Sequence, residues 1–193
     1  KIMTNKEDHK LDNPVWYALS ENHSELALDY AGTKFYNPDY CPFGSFILSE
    51  STLTAIKQYE LLTDSFFIVG EKPEIDDSLT IIKELICLQM VIQDKIQLPI
   101  DTEIVNLTEN HNAELLQLVN LVQPGYFKTQ TPLLGNYYGI FKEAQLIAVA
   151  GERMKMNDFS EVSAIITHPD YTGKGYAKQL TAFVVNKIFD LQE

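Results

Sequence analysis

The chain has 193 residues, enough for one large domain or two small ones, and its 45% apolar and 22% charged residues are those of a globular protein. Its 15 basic and 27 acidic side chains leave a formal charge of -12, which argues against a nucleic-acid partner, since phosphate neutralisation needs Lys and Arg. No apolar run approaches a membrane span, so no membrane partner is expected. His9, His23, His111 and His168 are scattered, and Cys41 and Cys87 have no metal or redox spacing, so no metal is expected. Both cysteines sit among apolar residues and read as buried free thiols in a reducing compartment. The polar opening "KIMTNKEDHK" is not a signal peptide, and the chain reads as cytoplasmic.

Near the start, Trp16 and Tyr17 follow Pro14, where they either line a cleft or anchor the N-terminus in a core. "SELALDYAG" alternates like a strand before Gly32, and the two prolines of "YNPDYCPFG" mark a loop. "SESTLTAIKQYELL" predicts a helix capped by Ser49 or Ser51, with Leu53, Ile56 and Leu61 at roughly helical spacing. "SFFIVG" is a short buried strand. The β-branched content of "SLTIIKELICLQMVI" favours a long strand over a helix. Around Pro99, "QLPID" reads as a linker between a smaller α/β domain, residues 1–100, and a second domain, residues 101–193.

The second half is more regular. "NAELLQLVNLV" sets Leu115, Leu118, Val119 and Val122 on one helical face, and "QPG" ends it. "NYYGIF" and "QLIAVAGERMKM" form a hairpin about "KEA", and "EVSAIIT" is the next strand. The closing helix "GYAKQLTAFVVNKIF" carries Leu180, Phe183, Val184 and Ile188 on one face. Between strand and helix stands Thr172-Gly173-Lys174-Gly175-Tyr176-Ala177. Glycines in such a turn let a backbone approach a phosphate closely, and the helix N-terminus beyond offers unpaired N–H groups. Two glycines alone also fit a plain strand-to-helix turn. The stretch is neither a Walker A loop nor a complete dinucleotide fingerprint. His168, before Pro169, reads as turn structure.

With its hairpin context, the stretch resembles the GNAT acyltransferase superfamily, whose motif is Gln or Arg, two residues, Gly, one residue, then Gly or Ala. Gly175 and Ala177 match, Thr172 stands where Gln or Arg is usual, and "HPDY" and "GYA" follow the common bacterial form. The likeness covers roughly Ile104 to Glu193. "LDNPVWYAL" and "AGERM" resemble, less specifically, a bacterial subgroup with an extra N-terminal domain. The resemblance implies an α+β fold with a mixed, mostly antiparallel sheet flanked by helices. The family's fifth strand, following helix and final hairpin have no counterpart before Glu193, so the fold is expected to be incomplete at its C-terminal end.

For function, the resemblance implies an N-acetyltransferase using acetyl-CoA as cosubstrate and a small-molecule or peptide amine as acceptor. The amides of Gly173 to Ala177 would hold the pyrophosphate, and the backbone of Ile165, Ile166 and Thr167 would pair with the pantetheine arm as an added strand. An N–H near Ile165 would polarise the thioester carbonyl. Glu161 stands at the offset of the general base in the histone-modifying branch, with Glu152 the second candidate. The structural reading of either is a strand glutamate facing solvent or an ion pair. Strict alternation puts Glu161, Ser163 and Ile165 on one face and Glu161 roughly 13 Å behind Ile165. The family's acid is a tyrosine beyond the next strand, and here the last tyrosine is Tyr176. The rival reading is a non-catalytic acyl-CoA-binding module on the same fold. Residues 1–100 are expected to help shape the acceptor site, and no pattern fixes an oligomeric state.

Overall fold

The computed structural model describes residues 7–48 and 50–192. The chain forms two compact units. The first takes the chain up to Pro38 with residues 42–92 and 156–158, and the second takes residues 39–41, 93–155 and 159 onward.

In the first unit, Asn13 caps helix α1 (Pro14–Ser20), its side-chain oxygen accepting from the Trp16 N–H at 3.3 Å. The helix buries Val15, Ala18 and Leu19. Trp16 and Tyr17 are half-buried: the Lys34 ammonium lies 4.9 Å from the Trp16 ring centre, and Tyr17 meets His9 edge-on. Strands β1 (Ala27–Asp29), β2 (Thr33–Tyr36), β3 (Phe43–Phe46) and β4 (Phe67–Ile68) form a sheet in that order. The first three are antiparallel, and β4 runs parallel to β3. Helix α2 (Thr52–Tyr59) supplies the core, with Tyr59 stacked on Phe35 at 4.0 Å.

The buried face of α2 is Thr52, Ala55, Ile56 and Tyr59, not the Leu53–Leu61 stripe the sequence suggested; Leu61 lies beyond the helix and is exposed. Ser51 stands at the N-cap but its hydroxyl donates to the Ala31 carbonyl, and Ser49 lies outside the described residues. Lys10 is buried, and its ammonium meets Glu21 at 2.7 Å, Asp158 at 2.8 Å and Glu7 at 3.3 Å. Hydrogen bonds from Lys10 to Asp158 and Glu21 push the amine above its ordinary value.

"SLTIIKELICLQMVI" is irregular rather than a long strand. Ile82, Ile86, Leu88 and Met90 are all more than four-fifths exposed. β-branched residues favour a strand only where a neighbouring edge accepts their backbone, and among the described residues none is paired with this one. Cys87, expected buried, lies exposed in this stretch; Cys41 is buried as expected.

The second unit is a four-stranded antiparallel sheet of order β5 (Val105–Leu107), β6 (Tyr137–Lys142), β7 (Gln145–Lys155) and β8 (Ser160–Thr167). The sequence reading missed β5, which is only three residues long. Helix α3 (Asn112–Val122) packs Leu115, Leu118 and Val119 against Tyr137, Val149 and Ile166. Val122, placed on that face from the sequence, is 42% exposed at the helix end. Helix α4 (Tyr176–Gln192) sets Leu180 and Val184 against Tyr138, Ile140, Ala148 and Ala150 on the opposite sheet face, with Phe183 and Ile188 beside them. β7 is covered on both faces, so Leu146 to Glu152 are continuously buried. The linker around Pro99 is stitched to α4: the Asn186 amide exchanges hydrogen bonds with the Ile96 backbone at 2.8 and 3.1 Å, and the Gln179 oxygen accepts from the Asp101 and Thr102 N–H groups.

One close approach organises this sheet. Tyr137 on β6 is paired with Gly151 on β7, and a Cβ at Gly151 would collide with the Tyr137 ring. The ring lies across the strand where only glycine leaves room. Gly151→Ala should therefore destabilise the protein by about 1–3 kcal/mol, seen as a lower urea midpoint, because the added methyl forces the buried ring off its place over the strand.

Candidate functional site

Among the described residues β8 is hydrogen-bonded on one side only, to β7, and its other edge is open. Its register is broken midway. Ile166 faces Val149 and Ser163 faces Gly151, which leaves Ala164 and Ile165 together opposite Ala150. This is a bulge, and Ala164 takes the left-handed φ of +49° that a side chain rarely adopts. The strict alternation expected from the sequence therefore fails here. By register it is Ile166, not Ile165, that shares a face with Ser163 and Glu161, and Ile165 is 43% exposed. A bulged residue has no ladder partner, so backbone groups at Ala164–Ile165 are available to something else.

Beyond Thr167 the chain turns through His168 and a short 3-10 turn, Pro169–Tyr171. His168 is structural, as its position before proline suggested: its Nδ1 accepts from the Asp170 N–H at 3.2 Å, and its backbone N–H donates to the Ile147 carbonyl at 2.8 Å. Thr172 donates its hydroxyl to the Pro169 carbonyl at 3.1 Å, closing the turn. Gly173 and Gly175 have φ of +76° and +79°, and a Cβ at either would meet nothing within 4 Å. The glycines are thus required for conformation, and the space before them is open. The first bond of α4 runs from the Gln179 N–H to the Gly175 carbonyl, so the amides of Tyr176, Ala177 and Lys178 have no helical acceptor. Lys174 is exposed, its ammonium 5.0 Å from the Tyr171 ring centre. Open strand edge, bulge and glycine turn thus follow one another along Ile165, Ile166, Thr167 and Thr172 to Ala177, an arrangement suited to an extended ligand ending in an anion.

The two candidate carboxylates differ. Glu161 is held in a two-pronged ion pair by Arg153, Nε at 2.9 Å and Nη2 at 2.7 Å, with the Met154 N–H at 3.4 Å. Burial alone would lower the Arg153 guanidinium, and the Glu161 pair more than reverses this. Glu152 is 1% exposed, accepts from the Asn136 amide at 3.0 Å and meets the Lys155 ammonium at 2.6 Å. Register puts Glu152 with Val162 on the α4 face, and Glu161 with Ser163 on the α3 face. The site thus does not bring the two glutamates together.

The sequence reading missed two residues, Arg153 and Tyr137. Arg153, inside the quoted "AGERM", gives no hint of its partner until β7 and β8 are in register. Tyr137 is buried, and burial raises its hydroxyl well above the usual tyrosine value, with Arg153 opposing.

A family described as FR47-like protein matches residues 137–193. A solved structure from Novosphingobium aromaticivorans DSM 12444, assigned as an acetyltransferase of the GNAT family, superposes with a TM-score of 0.78 at 26% identity, over 95% of this chain and 82% of that one. Two partial likenesses are to a GNAT-family acetyltransferase from Staphylococcus aureus Mu50 (TM-score 0.41, 11% identity, 47% of this chain and 67% of that one) and to the ribosomal-protein-alanine N-acetyltransferase of Brucella melitensis biovar Abortus 2308 (0.39, 20%, 46% and 72%). Curated proteins give no match.

If conformation is what Gly175 supplies, Gly175→Ala should cost about 1–2 kcal/mol of stability, read as a lower melting temperature, with no clash to add to it.

Proposed function

We propose that this chain, which belongs to the GNAT superfamily, transfers an acetyl group from acetyl-CoA directly to a primary amine. The observation that carries the reading is the bulged open edge of β8 running into the Gly173–Gly175 turn at the start of α4. The pyrophosphate would lie against the amides of Gly173 to Ala177, where the backbone is bare and the helix end carries partial positive charge. The pantetheine amides would complete the edge at Ile165, Ile166 and Thr167. A backbone N–H left unpaired by the bulge would take the charge that develops on the thioester oxygen. The amine then attacks, a C–N bond forms as the C–S bond breaks, and a carboxylate must accept the proton the ammonium loses. Glu161 is our assignment for that base, with Glu152 second. No helix among the described residues is long and apolar enough to cross a membrane, and two free thiols suit a cytoplasmic setting.

One observation favours the rival reading, an acyl-CoA-binding module without turnover: Glu161 is already paired with Arg153, and Glu152 is buried and paired. Thiol release from acetyl-CoA across a panel of amines, set beside acetyl-CoA binding, separates the two. Turnover supports the transferase; binding without turnover supports the module.

Gly175→Glu places a carboxylate where the pyrophosphate is proposed to sit. It should weaken acetyl-CoA binding by about 2–3 kcal/mol in calorimetry, beyond any loss in Gly175→Ala, as expected for lost charge-assisted hydrogen bonds. Unchanged affinity in a folded Gly175→Glu protein rules this placement out.

Glu161→Gln keeps shape and removes the base. It should lower kcat about 100-fold or more, most at low pH where the amine is most protonated, with acetyl-CoA affinity kept. If Glu152→Gln shows this loss across pH 6–9 and Glu161→Gln does not, the base lies on β7.

A further inference from the structure

The turn that joins β7 to β8, residues 156–158, belongs to the first unit, although both strands belong to the second. The buried Lys10 ammonium holds it there, meeting Asp158 at 2.8 Å together with Glu21 at 2.7 Å and Glu7 at 3.3 Å. Glu21, the C-cap of α1, reaches the same turn a second time: its Oε2 accepts from the Asn157 N–H at 2.7 Å. The Met156 side chain is buried as well. One buried cation therefore ties the turn to carboxylates on either side of α1. Charge-assisted bonds of this kind are short and strong, and removing one partner leaves a charge stranded.

What the turn governs is the stretch around Glu161. The β7–β8 ladder is bulged on both strands. Ala164 and Ile165 stand opposite Ala150, and nearer the turn Arg153 and Met154 stand opposite Glu161, between the pairs Glu152 with Val162 and Lys155 with Ser160. Two regular pairs lie between the bulges, Gly151 with Ser163 and Glu152 with Val162. A bulge bends and twists its strand, so a ladder this short between two of them fixes the stretch loosely. The groups that hold the Glu161 carboxylate, the Arg153 guanidinium and the Met154 N–H, sit in the bulge of β7. Carboxylate and holders thus flank the clamped turn. Resting on the transferase reading, we infer that Lys10 is a positioning residue: by clamping the β7–β8 turn inside the first unit, it fixes where the Glu161 carboxylate stands relative to the acceptor amine. The first unit holds the turn, the turn holds the bulge, and the bulge holds the base. The other end of β8 is anchored separately, Ile166 and Thr167 being paired with Val149 and Ala148, so the cosubstrate edge does not depend on the clamp.

The test starts from Asp158→Asn. Asp158 is 42% exposed at the side chain, and Lys10 keeps Glu21 and Glu7, so this variant opens the clamp without stranding a buried charge. Thiol release from acetyl-CoA is followed with an amine that wild type turns over, and kcat is taken per acetyl-CoA site titrated by calorimetry. It should fall about 10-fold while acetyl-CoA affinity is kept, as for a displaced reacting group. Lys10→Met should lose more, and where it fails to fold Asp158→Asn carries the test. A merely structural clamp would lower the melting temperature and the number of acetyl-CoA sites and leave kcat per site unchanged. The double variant Asp158→Asn/Glu161→Gln should be no slower than Glu161→Gln, because both changes act through one carboxylate. Unchanged kcat per site, or losses that multiply in the double variant, overturn the inference and leave the transferase standing. If wild type turns over no amine, hydrogen exchange decides. Faster exchange in Asp158→Asn confined to residues 157–163 upholds the clamp while the transferase reading fails, and unchanged exchange there overturns the clamp.

Discussion

Among the described residues strand β8 has a neighbour on one side only, and most of what distinguishes the second unit depends on this. A central strand could not carry a bulge at Ala164 and Ile165 without disturbing two ladders. At the edge it disturbs one. The φ of +49° at Ala164 stores strain that the flanking pairs, Ile166 with Val149 and Ser163 with Gly151, are able to hold. The strand then delivers the chain to the glycine turn and to the amide-rich end of α4. Leu180 and Val184 fix that helix against β6 and β7, so edge and helix end are parts of one rigid packing arrangement.

Much of this was legible from the sequence where local chemistry is unambiguous. Gly173 and Gly175 between a strand and a helical pattern identified the turn, and their φ values give the physical reason for both. The β6–β7 hairpin, β8, α3 and α4 followed from periodicity, and the GNAT-like fold followed from the motif. The bulge was not legible, because alanine carries no mark of a left-handed conformation. The Arg153–Glu161 pair was not legible either, since two residues eight apart in sequence meet only once two strands are registered. The expected strand at residues 78–92 failed for a related reason. Val and Ile describe what a strand prefers, and a partner edge decides whether it exists.

The two glutamates show how one residue type takes different environments one position of the ladder apart. Glu152 faces α4, buried, and with Asn136 and Lys155 it anchors the start of β6. Glu161 faces the other way, half-exposed, held by a guanidinium on the next strand. A half-exposed carboxylate is open to exchange in a way that one sealed into a sheet face is not. The Tyr137 hydroxyl, buried on β6 with no partner, is a cost the fold carries without return.

The stitch between Asn186 and the linker has a consequence for how the protein ages. The Asn186 side chain offers Ile96 both a donor and an acceptor, doing for the linker what a neighbouring strand would do. Spontaneous deamidation would turn that amide into a carboxylate, which can only accept. The Ile96 N–H would keep its partner, but the Ile96 carbonyl would face an anionic oxygen in place of an N–H. One chemical lesion on α4 would thereby begin to peel the linker from the helix, starting at residue 96, while leaving every apolar contact of the core in place.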